Sequence, residues 1–172
     1  NKMVLKMIDI VKMFGLSQAA MAQQLTRKMG IERKEIVTDK FAIFQNDNVL
    51  ETKSIEDNSV GLILTSWPFS HQYEYSPNYA DFGHSESNAE FFQQMDYLTP
   101  DTFRVLKPGR IYALHVKDRI IPSGLTGLGF QTVYPFHMDC VQHMIKHGFA
   151  YIGMKTIVTD VVRENNQTYR LG

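Results

Sequence analysis

Three aliphatic residues, Leu62-Ile63-Leu64, run without interruption into Thr65-Ser66-Trp67-Pro68-Phe69. An apolar run ending at a proline predicts a buried strand that opens into a rigid loop at its carboxyl end. Around this segment the chain alternates β-like runs with helical periodicity. Strands are expected near 41–46, 60–65, 110–116 and 150–159. Helices are expected near 48–56, at 90–106 with Pro100 starting a second part, and at 135–147. In the 90–106 segment, Phe91, Phe92, Met95, Leu98 and Phe103 fall on or near one helical face. Alternation of this kind implies an α/β fold with a mainly parallel sheet. Ligands of such sheets bind beyond the carboxyl ends of the strands, so function is expected at the 66–69 loop.

The amino-terminal stretch has a different pattern. Val4, Leu5, Ile8, Val11 and Met13 or Phe14 recur at helical intervals, Gly15 breaks the run, and Ser17 can cap a second helix through about Lys28. This divides the chain into a helical hairpin at 1–36 and an α/β unit at 37–172. The run LSQAAMAQQL also has the spacing of a helix-turn-helix, while an amphipathic hairpin packed on the main unit explains it more simply. The segment 70–87 is rich in Tyr, Ser, His and Asn and lacks periodicity. It reads as a long loop, the kind that is commonly functional or disordered. Residues 123–130 carry Gly-x-x-Gly-x-Gly, the reverse of the dinucleotide fingerprint, and read as an extended flap or a DNA-facing loop.

The 66–69 loop supplies a definite set of groups. Ser66 offers a hydroxyl, Trp67 a carbonyl, Pro68 a fixed φ and Phe69 a flat apolar face. Together they can grip a planar ring that carries an exocyclic amine. A surface turn after a buried strand accounts for the same four residues. Nearby, His71, Tyr73, Glu74 and Tyr75 can line a pocket for such a ring, tyrosines being able to stack on nucleobases, or can belong to a solvated loop. Asp47 ends the first strand as either a ligand contact or a turn former. His115, Lys117 and Asp118 reach the functional edge if their strand is parallel, although Asp118 beside Arg119 can be a plain surface ion pair. His115, His137, His143 and His147 give no zinc spacing with a single cysteine, so no metal is expected. Arg163, Asn165, Asn166 and Gln167 can meet DNA phosphates or base edges, or form an exposed tail.

The loop and its flanks resemble the amino-group DNA methyltransferases. The family loop is Asp, Asn or Ser, then Pro-Pro, then an aromatic; here it is Ser66-Trp67-Pro68-Phe69. Trp67 departs from the pattern at the position whose carbonyl receives the amine: it keeps the carbonyl and lacks proline's fixed φ. Upstream, Asn46-Asp47 and Asp57-Asn58-Ser59-Val60 stand where the family has its opening strand end and its DNSV turn. Downstream, FRVLKPGRIYAL at 103–114 is similar to the helix end, turn and strand of many S-adenosylmethionine-dependent methyltransferases. A closer similarity, through SHQYEYSPNYADFGH, HVKDRI and the tail TIVTDVVRENNQTYRLG, is to phage-type, site-specific enzymes with Ser-x-Pro-Phe loops.

The resemblance implies a Rossmann-like methyltransferase fold and S-adenosylmethionine as cofactor. It implies methylation of adenine N6 or cytosine N4 in double-stranded DNA, as in restriction-modification systems. Ser66, Trp67, Pro68 and Phe69 would be catalytic, Asp47 would touch the cofactor, and His71, Tyr73 and Tyr75 the base. The family's late Phe-x-Gly-x-Gly cofactor loop does not occur in the sequence. The expectation is therefore a catalytic half that ends before that loop and binds the cofactor poorly alone.

Composition changes this picture little. The 172 residues suffice for one domain with a real core. Cys140 is the single cysteine, which rules out an intrachain disulfide and fits a cytoplasmic location. No run of membrane-spanning length is present, so no membrane partner is expected. Formal charge is zero, which neither marks a basic DNA-binding face nor excludes one. A homodimer stays open. So do two rivals: a protein or RNA amine methyltransferase, and a non-catalytic methyltransferase-like module that binds DNA or an active partner.

Overall fold

A computed structural model of the protein describes residues 32–70, 74–75 and 80–158. Nearly all of the expected amino-terminal hairpin, and the tail from 159 onward, lie outside the described residues. The hairpin's last residues are not helical: Lys34–Val37 is a strand, β1. It pairs antiparallel with β2, Ala42–Gln45, around a turn held by the Thr38 hydroxyl. A strand satisfies the β-branched Ile36 and Val37, which a helix would restrict at χ1.

The short helix α1, Asn48–Thr52, follows. The next strand, β3, is Val60–Ser66, and it pairs in parallel with β4, Leu106–His115. The chain between them forms two helices, α2 at Asn88–Met95 and α3 at Thr99–Val105. Ser87 starts α2 by accepting from the Glu90 amide, while the Glu90 carboxylate accepts from the Glu86 amide, a close variant of the capping box. Pro100 lies in the first turn of α3, where its missing N–H is not needed. After β4 come an antiparallel pair, β5 at Arg119–Ile121 and β6 at Thr132–Tyr134, and then α5 at Phe136–Lys146. The four-residue helix α4, Ser123–Thr126, lies inside the β5–β6 connection. Gly148 ends α5 at φ +96, and a Cβ there would stand 3.1 Å from the Phe103 ring.

The result is a mixed α/β fold. Three expectations need correction. Only one of the three ladders among the described residues is parallel, because β1–β2 and β5–β6 are local hairpins. Residues 150–158 form no strand. The aliphatic run in β3 is half covered: Leu62 and Leu64 are 58% and 75% exposed, while Ile63 is half-buried. Strand alternation explains the last point. Ile63, Thr65, Tyr112 and Leu114 share the face that meets the helices, and Leu62, Leu64, Ser66, Ile111 and His115 share the other. The described helices cover one face only.

The core beneath the covered face is Trp67, Phe91, Met95, Leu98, Phe136 and Cys140. Arg104 fastens the DNSV turn to α3: it donates to the carbonyls of Ile55 at 2.8 Å and Thr52 at 3.0 Å, and it pairs with Asp57 and Asp101. No described helix is long and apolar enough to cross a membrane.

Burial pushes the Cys140 thiol up to about 12, and the residue is almost sealed from solvent. A thiol in that state is unreactive, because the thiolate is the nucleophile. With native protein, thiol-specific reagents at neutral pH should therefore label this single cysteine only at the rate of local opening. Labelling should become rapid through the urea unfolding transition. Fast stoichiometric labelling of the native chain would contradict the placement of α5 in the core.

Candidate active site

Parallel pairing brings two carboxyl-terminal strand ends side by side. Ser66 and His115 are register partners, and Ser66 Oγ lies 3.1 Å from His115 Nδ1. Both residues are exposed on the face of the sheet that the described helices leave open. The Phe69 ring stands edge-on to the His115 ring, with centroids 6.2 Å apart, and packs partly on the core. Ser70 follows, fully buried with φ +57, a left-handed conformation that turns the chain sharply after Phe69.

Trp67 behaves unlike the flanking loop residues. Continuing the alternation of β3, its side chain goes to the covered face and is 4% exposed. The indole N–H donates to the Tyr112 hydroxyl at 3.0 Å. Its ring makes edge contacts with Phe91, Tyr112 and His143 at centroid distances of 6.4, 6.4 and 5.8 Å. Burial raises the Tyr112 phenol to about 12, so it stays a neutral acceptor for the indole. The loop is thus anchored through Trp67, the residue that departs from the resembled Pro-Pro pattern. The sequence pattern points to the Trp67 carbonyl and not to this anchor, although a lone Trp after a strand is a signal for one.

The remaining expected site residues separate. His71 and Tyr73 lie outside the described residues. Tyr75 is 79% exposed, and its backbone N–H donates to Asp81. The Asp47 carboxylate caps α1, accepting from the Val49 and Leu50 amides at 2.8 and 3.3 Å. Immediately before it, Asn46 Oδ1 is buried without a hydrogen-bond partner. Asp118 turns to His137, 2.8 Å from Nδ1, while Arg119 stacks over Tyr134 and Phe136 and donates to Asn88. The ion pair expected between Asp118 and Arg119 is therefore replaced by two separate contacts. The glycine cluster at 124–129 belongs to the β5–β6 connection, with Gly127 and Gly129 at φ +67 and +81.

No protein-family profile matches the chain, and no curated protein does. Two solved structures of a Thermus thermophilus protein, provisionally assigned as a DNA modification methylase, are similar to it. One has 26% sequence identity and a TM-score of 0.46, and the match covers 61% of this chain and 39% of that one. The other, complexed with S-adenosyl-L-methionine, has 29% identity and a TM-score of 0.45, with coverage of 60% and 39%. This chain spans about two fifths of the length of that protein.

The indole should dominate local stability. Trp67→Ala should cost about 3–5 kcal/mol, the usual loss for a buried aromatic. Tyr112→Phe, which strands the indole N–H, should cost about 1–3 kcal/mol. Urea denaturation followed by circular dichroism would measure both. Losses under about half a kcal/mol, as at ordinary surface sites, would show that the indole is not buried as described.

Proposed function

We propose that this chain carries the catalytic loop of an S-adenosylmethionine-dependent methyltransferase that modifies the exocyclic amine of adenine (N6) or cytosine (N4) in DNA. The observation that carries this reading is the Ser66–His115 pair at the carboxyl edge of the parallel ladder, with the Phe69 ring beside it. The resemblance of the loop and its flanks to amino-group DNA methyltransferases supplies the substrate class.

An exocyclic amine is a weak nucleophile because its lone pair is delocalised into the ring. Acceptors on its two hydrogens localise that lone pair and stabilise the positive charge that grows on nitrogen during attack. Ser66 Oγ and the Trp67 carbonyl are those acceptors. His115 positions the first: when Ser66 Oγ–H donates to His115 Nδ1, both serine lone pairs stay available to the amine. Phe69 stacks on the base, which must leave the duplex to reach the loop. When bound, S-adenosylmethionine would supply the methyl group from its sulfonium sulfur, with a neutral thioether as the leaving group. The methylated amine then releases one proton to water, so the loop needs no strong base.

The described residues fit one polar edge of that cofactor. Asn46 Oδ1 has an unmet hydrogen-bonding capacity, and Asp47 stands next to it with one oxygen committed to the helix cap. These two residues would contact it.

Methyl transfer to duplex DNA under single-turnover conditions, measured alongside DNA binding, tests the proposal. Ser66→Ala should slow transfer by about 100-fold, as removal of one preorganised partner does elsewhere. It should leave DNA affinity nearly unchanged, because phosphate contacts dominate binding. His115→Ala should slow transfer less, with binding again intact. Phe69→Ala should weaken capture of the flipped base by about 1–3 kcal/mol. Full transfer rates in both Ser66→Ala and Phe69→Ala would reduce the loop to a turn and remove the catalytic role assigned to it, whereas DNA binding with no transfer by the unaltered protein would favour a non-catalytic, DNA-binding module.

A further inference from the structure

A second cluster of chemistry-bearing side chains lies across the core from the strand edge. His143 and His147 are one helical turn apart at the end of α5, so their rings share a face. Asp96, the carboxyl-terminal cap of α2, lies against them. Its Oδ1 stands 2.6 Å from His147 Nε2 and 3.8 Å from His143 Nδ1. One donor atom from each of the three residues falls within 4.8 Å of the others. We propose that Asp96, His143 and His147 bind one divalent transition-metal ion, with zinc the best match, which ties the end of α2 to α5.

Donor geometry is the first argument. Ligands at about 2.0–2.2 Å around a tetrahedral ion lie roughly 3.3 Å from one another. The two Asp96 separations fall on either side of that value, so small side-chain rotations suffice. Donor chemistry is the second. Two imidazoles and one carboxylate suit zinc and its first-row neighbours, whereas calcium and magnesium take oxygen ligands. The fourth position is left to water.

The surroundings of His143 are the third argument. Its Nε2 lies 2.9 Å from Thr99 Oγ1 in the interior. With the proton on Nε2 and donated to Thr99, the Nδ1 lone pair faces Asp96. Metal-binding histidines ordinarily have such a partner on their other nitrogen. The ring is held by Trp67 and Phe92, at centroid distances of 5.8 and 5.2 Å.

Lys146 is the competitor. Its Nζ lies 3.0 Å from each Asp96 oxygen, and its side chain is 64% exposed, so it can swing into solvent when an ion takes its place. The spacing of the histidines and the single cysteine along the chain does not reveal this site. The missing ligand is an aspartate far upstream of His143 in the chain, brought in by the packing of α2 on α5.

The whole chain, stripped with a chelator, would be titrated with zinc by calorimetry and with cobalt(II) by visible absorption. Expected are one ion per chain, micromolar affinity or better, and tetrahedral cobalt bands. His147→Ala and Asp96→Asn should each weaken binding at least tenfold, with circular dichroism confirming the fold. Thr99→Val should weaken it by about 10-fold or more. His137→Ala, outside the cluster, should change nothing. Where the ligand variants fail to fold, Lys146→Ala decides: tighter binding supports the site, and unchanged binding overturns it. Absence of saturable uptake, or uptake that survives both His147→Ala and Asp96→Asn, also overturns it.

Discussion

The burial of one indole joins the two halves of this structure. Trp67 sits where β3 ends, and its ring lies among Phe91, Tyr112 and His143, which belong to α2, β4 and α5. The packing therefore fixes the strand end relative to every long element around it. It also fixes Ser66 and Phe69 on either side, because neither can move far while the indole remains seated. The hydrogen bond to Tyr112 adds direction to what is otherwise a non-directional apolar contact.

Alternation along β3 then assigns the roles. Odd-numbered positions feed the core, and even-numbered ones face away from the described helices. Ser66 and His115 are thus on the same side as Leu62, Leu64 and Ile111, whose apolar surface is exposed. Parallel strands are ordinarily covered on both faces. In the proposed function, the Ser66–His115 pair stands at the rim of the apolar face that the described helices leave open, where a planar base would cover Leu62 and Leu64 and displace water from around the pair.

Much of this was legible in the residues. The aliphatic run and Pro68 located β3 and its loop, and the FRVLKPGR segment located the α3–β4 junction. Asp47 was readable as a turn former because short carboxylates cap helices well. The failures have a common origin in non-local packing. Ile36 and Val37 acquire their strand from pairing with β2, and no periodicity in so short a segment could reveal that. Leu62 and Leu64 read as buried because hydrophobicity does not say which neighbours are present to cover them. The Ser66–His115 contact spans 49 residues and follows only from the parallel register.

The presence of Trp67 where the resembled loops carry proline can be weighed in energy. A proline restricts its own φ and stabilises a compatible conformation by about 0.4–1 kcal/mol, chiefly through the unfolded chain. An indole withdrawn from the core would re-expose a large apolar surface, of the order of 150–250 Å² for an aromatic side chain. At roughly 25 cal/mol per Å², that costs about 4–6 kcal/mol as an upper estimate. Tertiary anchoring thus holds this backbone more strongly than a ring at the same position would. The proposed carbonyl acceptor does not need proline's rigidity, because moving it requires unseating Trp67 from the core that defines the fold.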